Sequence, residues 1–206
     1  PLVDSISNFK KNYDSSKEQI ISNKKPVIAI LPGSRKQEIK KILNTVIKIV
    51  EYFPNHQFIV AGAPNIELSY YNSSLKNKNI KVIENKTYEL LSISTAAIVT
   101  SGTATLETAL FKVPQVVCYK SSYFSYFIAK LIVKIKYISL VNLIMDQQIV
   151  KELIQQDCNK VNITNELKKI LDLNHRKSLL IKYDELTSVL GNYGTSKRVA
   201  LDIIKK

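Results

Sequence analysis

The chain has 206 residues, 45% of them apolar and 23% charged, with a formal net charge of +13. That composition is that of a folded domain and excludes a disordered, collagen-like or disulfide-stapled chain. The positive charge is nearly all lysine, scattered along the chain, with arginine only at positions 35, 176 and 198; no basic run interleaved with aromatics marks a nucleic-acid groove, so no nucleic-acid partner is expected.

The chain opens Pro1-Leu2-Val3 without an initiator methionine, and the expectation is that it is a piece of a longer protein. Residues 1–25 read as a polar lead-in or linker carrying one short helix. An apolar strand follows at 26–31 and runs into Leu31-Pro32-Gly33-Ser34-Arg35-Lys36-Gln37-Glu38. As plain structure this is a turn with a capping box, Ser34 at the N-cap and Gln37 three residues on. Arg35 and Lys36 then fall in the first helical turn, where the helix dipole disfavours cations by about 0.3–1 kcal/mol each. A bound anion removes that conflict, and a planar guanidinium suits two-point phosphate recognition, so Arg35 is a candidate phosphate ligand with Gly33 and Ser34 beside it.

A helix is predicted over 38–53 from apolar residues at helical spacing, among them Ile39, Ile42, Leu43 and Val46. Further strands are predicted at 57–62, 81–84 and 96–100, alternating with helices at 65–76 and 88–94. Directly after the 96–100 strand comes Ser101-Gly102-Thr103-Ala104-Thr105-Leu106-Glu107, opening a helix over 103–111. A small-residue turn between strand and helix lets backbone approach a ligand, and the helix start offers unpaired N–H groups and a positive dipole end. The plain reading is a tight turn with Glu107 near the helix start. The functional reading has Ser101, Gly102, Thr103, Ala104 and Thr105 presenting N–H and hydroxyl groups to a diphosphate, with Glu107 accepting from ribose hydroxyls.

A strand at 115–120 ends in Tyr119-Lys120-Ser121-Ser122, which makes Lys120 a further candidate. The segment 123–133 is dense in aromatics and, with Lys130, Lys134 and Lys136, reads equally as an interfacial membrane helix or as a packed helix with snorkelling lysines. A sixth strand is predicted at 137–140, followed by Val141-Asn142-Leu143. Beyond it only helices are predicted, at 149–155, 165–171, 176–190 and 196–204. Short apolar strands alternating with helices imply an α/β, doubly wound (Rossmann-like) parallel sheet of about six strands, covered on both faces and followed by carboxy-terminal helices.

Cys118 and Cys158 match no metal or redox spacing, so inert packing in a reducing compartment is expected. There is no GxGxxG, Walker A loop, GxSxG elbow or metal-ligand cluster, and no Asp-x-Asp pair. No metal and no cofactor are expected. His56 and His175 stand alone, and no apolar run is long enough to span a bilayer.

Several of these segments, in order, resemble the lipid-A-disaccharide synthase family of inverting GT-B glycosyltransferases. They are Leu31-Pro32-Gly33-Ser34-Arg35 with Glu38, Thr100 through Glu107, Ala109-Leu110-Phe111-Lys112-Val113-Pro114, Ile128-Ala129-Lys130 and Lys136 through Leu143. The resemblance divides the chain into a lead-in at 1–25, a UDP-sugar-binding α/β domain at 26–160 and a helical extension at 161–206. It implies that UDP-2,3-diacylglucosamine donates its sugar to 2,3-diacylglucosamine 1-phosphate, giving a β-1,6-linked disaccharide phosphate and UDP. Arg35 and the 101–105 turn then hold the diphosphate, Glu107 the ribose, and Asn142 lines the donor pocket. It also implies a missing amino-terminal half carrying the acceptor surface and catalytic base, a cytoplasmic location with peripheral contact to the inner membrane, and leaves open a homodimer. Where the family often has Pro-Asn-Leu and Ala-Gly-Arg, this chain has Val141-Asn142-Leu143 and Met145-Asp146-Gln147. Another GT-B-like UDP-sugar enzyme, a 2-epimerase or a different glycosyltransferase, is the alternative, with a basic nucleic-acid-binding module behind it.

Overall fold

Six parallel strands form one sheet in the order β3-β2-β1-β4-β5-β6 in the computed structural model, which describes residues 2–13, 25–75, 80–120, 136–191, 194, 200–201 and 203–204. The strands are β1 (Val27–Leu31), β2 (Gln57–Gly62), β3 (Lys81–Glu84), β4 (Ser94–Thr100), β5 (Gln115–Tyr119) and β6 (Lys151–Ile154). The helices are α1 (Leu2–Asn12), α2 (Lys36–Val46), α3 (Leu68–Leu75), α4 (Thr87–Ile93), α5 (Thr103–Leu110), α6 (Leu140–Met145), α7 (Lys160–Leu171) and α8 (Leu173–Leu190), with a short 3-10 turn at Val50–Tyr52. This is the doubly wound architecture read from the sequence.

Successive strand residues point to opposite faces, and every residue of β1 is buried. Both faces of the sheet are therefore covered, which is why β1 reads as the unbroken run Val27-Ile28-Ala29-Ile30-Leu31 rather than an alternating one. In parallel register, Leu31 lies opposite Val99 of β4 and Ile30 opposite Val60 of β2. The chain leaves β1 toward β2 on one side, and β4 returns on the other. The order thus reverses between β1 and β4, and the crevice of an open α/β sheet lies beyond the strand ends at that reversal.

Two sequence expectations are corrected here. Residues 137–140 are not a strand, and the sixth strand is Lys151–Ile154, inside the predicted 149–155 helix. Backbone N–H groups of Ile138 and Ser139 donate to the two carboxylate oxygens of Glu152, each at 2.9 Å, and Ser139 caps α6 by accepting from the N–H of Asn142. With its donors taken by a side chain, this segment has no ladder to join. The run Ile149-Val150-Lys151-Glu152-Leu153-Ile154 satisfies both periodicities over so few residues. Pairing with β5, Leu153 opposite Cys118, settles it as an edge strand.

The 1–25 lead-in is also more than a linker: Ile6 of α1 is 3% exposed and belongs to the core, and the backbone N–H of Gly194 donates to Asp4 at 2.6 Å. At the other end α7 packs against β4, β5 and β6, so the layer beyond residue 160 helps cover the sheet. The predicted 38–53 helix stops at Val46. The segment 123–133 lies outside the described residues, and most of 196–204 does too. Among the described residues no helix is long and apolar enough to cross a membrane.

Candidate functional site

At the carboxyl ends of β1, β2 and β4 lies an open cleft of about 380 Å³. The β1 end contributes Gly33, Ser34, Arg35 and Glu38, and the β4 end contributes Ser101, Gly102, Thr103, Ala104 and Glu107. The two loop-to-helix junctions singled out in the sequence therefore open onto one cavity.

Backbone conformation explains the glycines. Gly33 has φ of +97°, and a Cβ there would meet Glu38 Oε2 at 3.2 Å and Thr100 Cγ2 at 3.4 Å. Gly102 has φ of +152° and ψ of −165°, a region essentially confined to glycine. A Cβ on Gly102 would meet nothing within 4 Å, so that face of the turn is open.

Gly102 is the N-cap of α5 and supplies no side chain, so the N–H groups of Thr103 and Ala104, both cleft-lining residues, have no side-chain cap, while that of Thr105 bonds the Gly102 carbonyl. Their partial positive charge is available to an anion. Thr105 is fully buried: its hydroxyl donates to the Gly102 carbonyl at 2.8 Å and its own carbonyl accepts from Gln115 Nε2 at 2.8 Å. It shapes the turn from inside and is not among the lining residues. Ser101 lines the cleft while its hydroxyl donates to the Ile138 carbonyl at 2.6 Å. Its N–H donates to Cys118 of β5 at 3.1 Å.

The α2 end differs from the capping box. Arg35, in extended conformation, is the N-cap, and no side chain caps the helix. The guanidinium is 80% exposed and bonds Glu38 Oε1 at 3.0 Å, leaving most of its five N–H donors toward solvent. Lys36 turns away, its Nζ 5.6 Å from the Tyr70 ring centre. Arg35 thus precedes the first turn in which the sequence placed it, and of the two cations at this helix start it is the one at the cleft.

Glu107, one turn into α5, lines the cleft half-buried. Burial pushes its carboxyl up, and a hydrogen bond from Tyr88 pulls it back down. His56 stands at the amino end of β2, opposite the cleft, packed edge-on against Phe53, and His175 lies in the first turn of α8.

Besides Thr105, two further candidates are not brought to the cleft. Lys120 donates to the Cys158 carbonyl at 2.9 Å. Asn142 is fully buried; its Nδ2 donates to the Val150 carbonyl and to Glu152 Oε1, both at 2.9 Å, and its Oδ1 accepts from the N–H groups of Ile149 (2.8 Å) and Val150 (2.9 Å). The expectation that Asn142 lines the pocket is thereby corrected: every polar atom of its side chain is already used by the protein.

Other lining residues were not singled out in the sequence. Ala61, Gly62, Ala63 and Pro64, at the end of β2, form the third wall, and Thr87, Thr100 and Tyr119 complete the lining. The Ala-Gly-Ala-Pro turn after an apolar strand carried the same small-residue signal as the other two junctions. The Ala63 N–H donates to the Tyr71 hydroxyl at 2.8 Å, and Asn65 Nδ2 to the Ser34 carbonyl at 3.5 Å, tying this wall to the first junction.

The family model described as Lipid-A-disaccharide synthetase matches residues 1–198. The chain is 34% identical over 185 residues to the lipid-A-disaccharide synthase of Anaeromyxobacter dehalogenans, covering 86% of this chain and 48% of that protein. It is 33% identical over 218 residues to that of Sulfurihydrogenibium sp., covering 97% and 56%. The chain thus spans about half the length of the curated relatives it matches. Among solved structures, it is similar in fold to a UDP-GlcNAc 2-epimerase from Neisseria meningitidis bound to UDP-GlcNAc (TM-score 0.56, 17% identity, 98% of this chain and 50% of that one). It is likewise similar to the calicheamicin glycosyltransferase CalG4 (TM-score 0.61, 13% identity, 99% and 51%). A fold shared with nucleotide-sugar enzymes, a match along nearly the whole chain and relatives at one-third identity together place this chain in the lipid-A-disaccharide synthetase family.

Proposed function

We propose that this chain is the donor-nucleotide half of a lipid-A-disaccharide synthase and holds the diphosphate of a UDP-sugar in the cleft between the β1 and β4 ends. One observation carries the reading: Gly33-Ser34-Arg35 and Ser101-Gly102-Thr103 line a single cavity although they are roughly seventy residues apart in sequence. The uncapped start of α5, the exposed guanidinium of Arg35 and the bare face of Gly102 are what a diphosphate needs: N–H donors, one planar cation and room for close approach. Relatives named for the activity and a structural neighbour bound to UDP-GlcNAc agree with this.

In the proposed reaction, the acceptor hydroxyl of 2,3-diacylglucosamine 1-phosphate attacks the anomeric carbon of UDP-2,3-diacylglucosamine. The carbon–oxygen bond to UDP breaks, the configuration inverts, and negative charge grows on the departing diphosphate. Arg35 and the α5 N–H groups stabilise that charge where it develops, which is the interaction that lowers a barrier rather than merely tightening substrate binding. Glu107 accepts from the ribose hydroxyls. Ser34, Thr103 and Ala104 complete the diphosphate contacts, Ser101 shapes the cleft wall with its own donors held by Ile138 and Cys118, and Thr105 acts from behind through the Gly102 carbonyl. The acceptor surface and the base that takes the hydroxyl proton belong to an amino-terminal half, and the acylated substrates bring the complete enzyme to the cytoplasmic face of the inner membrane.

Titrating UDP into the isotope-labelled chain tests the binding step. Amide signals of Gly33, Ser34 and Gly102 through Glu107 are expected to move together and saturably, and signals that stay still at saturating UDP refute the assignment. Supplying UDP-2,3-diacylglucosamine to the complete enzyme with and without lipid acceptor tests the chemistry, because an epimerase turns over without acceptor and a glycosyltransferase does not.

A further inference from the structure

Tyr88 does not line the cleft, yet its hydroxyl donates to Glu107 Oε1 at 3.3 Å. The tyrosine ring is itself clamped. Its centroid is 5.2 Å from that of Phe111, at the end of α5, and 5.4 Å from that of Phe9 on α1, in an edge-on arrangement. Phe9 in turn meets Phe111 at 5.9 Å. Three rings from α1, α4 and the end of α5 thus close around one another, Phe9 meeting both others edge-on as aromatic rings favour, and the hydroxyl at the edge of this cluster reaches the carboxylate.

We infer that Tyr88 is a positioning residue for Glu107: it holds the carboxylate ionised and aimed at the cleft, and Phe9 of the amino-terminal helix locks Tyr88 in that pose. The inference rests on the donor-site reading above, in which Glu107 takes the ribose hydroxyls. Burial works against a charged carboxylate at this position, and a hydrogen bond to the charged form counters it. Burial likewise pushes the Tyr88 hydroxyl up to about 12, reinforced by the charge of Glu107 and the bond between them. Near neutral pH the tyrosine therefore stays protonated and can only donate to an ionised partner.

The other charged groups around Glu107 do not substitute for Tyr88. From α1, Lys10 places its Nζ on the Leu110 carbonyl at 2.8 Å and 5.0 Å from the Phe111 ring centre, at the far end of α5. Across the cleft, Arg35 and Glu38 are paired with each other. Tyr88, from α4, bonds this carboxylate directly.

The test is UDP affinity as a function of pH for the unmodified chain, Tyr88→Phe and Glu107→Gln. Tyr88→Phe keeps the ring cluster and removes one donor. UDP is expected to bind it about three- to tenfold more weakly near neutral pH, with the acid-side loss of affinity displaced to higher pH than in the unmodified chain. Glu107→Gln is expected to bind weakly without the part of the acid limb that moves in Tyr88→Phe. Titration of the nucleotide's own phosphate is common to all three and cancels in the comparison. Carbon-detected NMR of the Glu107 carboxyl in the ligand-free chain reads the same effect without UDP, and its midpoint is expected to rise in Tyr88→Phe. Superimposable acid limbs with an unmoved carboxyl midpoint overturn the inference alone. Failure of the unmodified chain to bind UDP at any pH overturns the donor-site reading, and this inference with it.

Discussion

The side-chain amide of Asn142 donates to the carboxylate of Glu152 across 2.9 Å, and the pair fastens the α6 entry segment to edge strand β6. Glu152 holds the N–H groups of Ile138 and Ser139, while Asn142 holds those of Ile149 and Val150. The Ile138 carbonyl then accepts from the Ser101 hydroxyl in the cleft wall at 2.6 Å. An unbroken series of hydrogen bonds thus runs from a buried scaffold to the 101–103 turn in the cleft wall, and it makes Asn142 structural.

Replacing Asn142 with alanine strands the N–H and carbonyl of Val150, removes one of two acceptors of the Ile149 N–H, and takes one of three donors from Glu152. The expected loss of unfolding free energy is about 2–4 kcal/mol, read by urea denaturation. UDP affinity of the folded fraction stays within about twofold. A large affinity loss with unchanged stability would instead return Asn142 to the donor site.

Arg35→Ala is expected to do the reverse. The guanidinium is 80% exposed, so its pairing with Glu38 adds little to stability, and the variant unfolds within about 0.5 kcal/mol of the parent. Losing a charge-assisted bond to the diphosphate weakens UDP binding by about tenfold or more, corresponding to roughly 1.5–3 kcal/mol. Calorimetric titration of UDP checks this; unchanged affinity removes Arg35 from the site.

The two glycines respond differently to alanine. Gly33→Ala combines a positive φ with neighbours at 3.2 and 3.4 Å, and is expected to lower stability by about 1–3 kcal/mol. Gly102→Ala meets no neighbour, so its stability cost comes from backbone strain alone. Its new methyl group projects into open space at the α5 start and is expected to impair UDP binding beyond what its stability change explains. Thermal melts with and without UDP separate the two contributions.

Glu107 sets a pH dependence of known sign. Burial raises its folded-state carboxyl above its ordinary value, so the folded chain holds this proton more tightly than the unfolded chain does. Its contribution to stability is therefore present below the unfolded value and lost as pH rises through the raised folded value. Glu107→Gln is expected to flatten that decline in a series of melts across the window. UDP affinity runs the other way and improves as the carboxylate ionises.

Sequence alone was enough for the βα alternation, five of the six strands and the two glycine junctions. Each is a local signal: an unbroken apolar run such as 27–31 must be covered on both faces, and Gly33 and Gly102 stand where the backbone takes conformations other residues resist. Tertiary structure decided which polar side chains remain free for a ligand. Asn142 and Lys120 have the chemistry of ligands, yet Val150 and Glu152 use up the Asn142 amide group, and the Cys158 carbonyl draws Lys120 away from the cleft. Tyr88 looks like any helical tyrosine until α1 and α5 close around it. The edge strand had the same origin: 149–155 suits helix or strand locally, and pairing with β5 chose between them. Periodicity and turn chemistry act over a few residues and can be read along the chain, whereas the satisfaction of a buried polar atom depends on whatever the fold sets beside it.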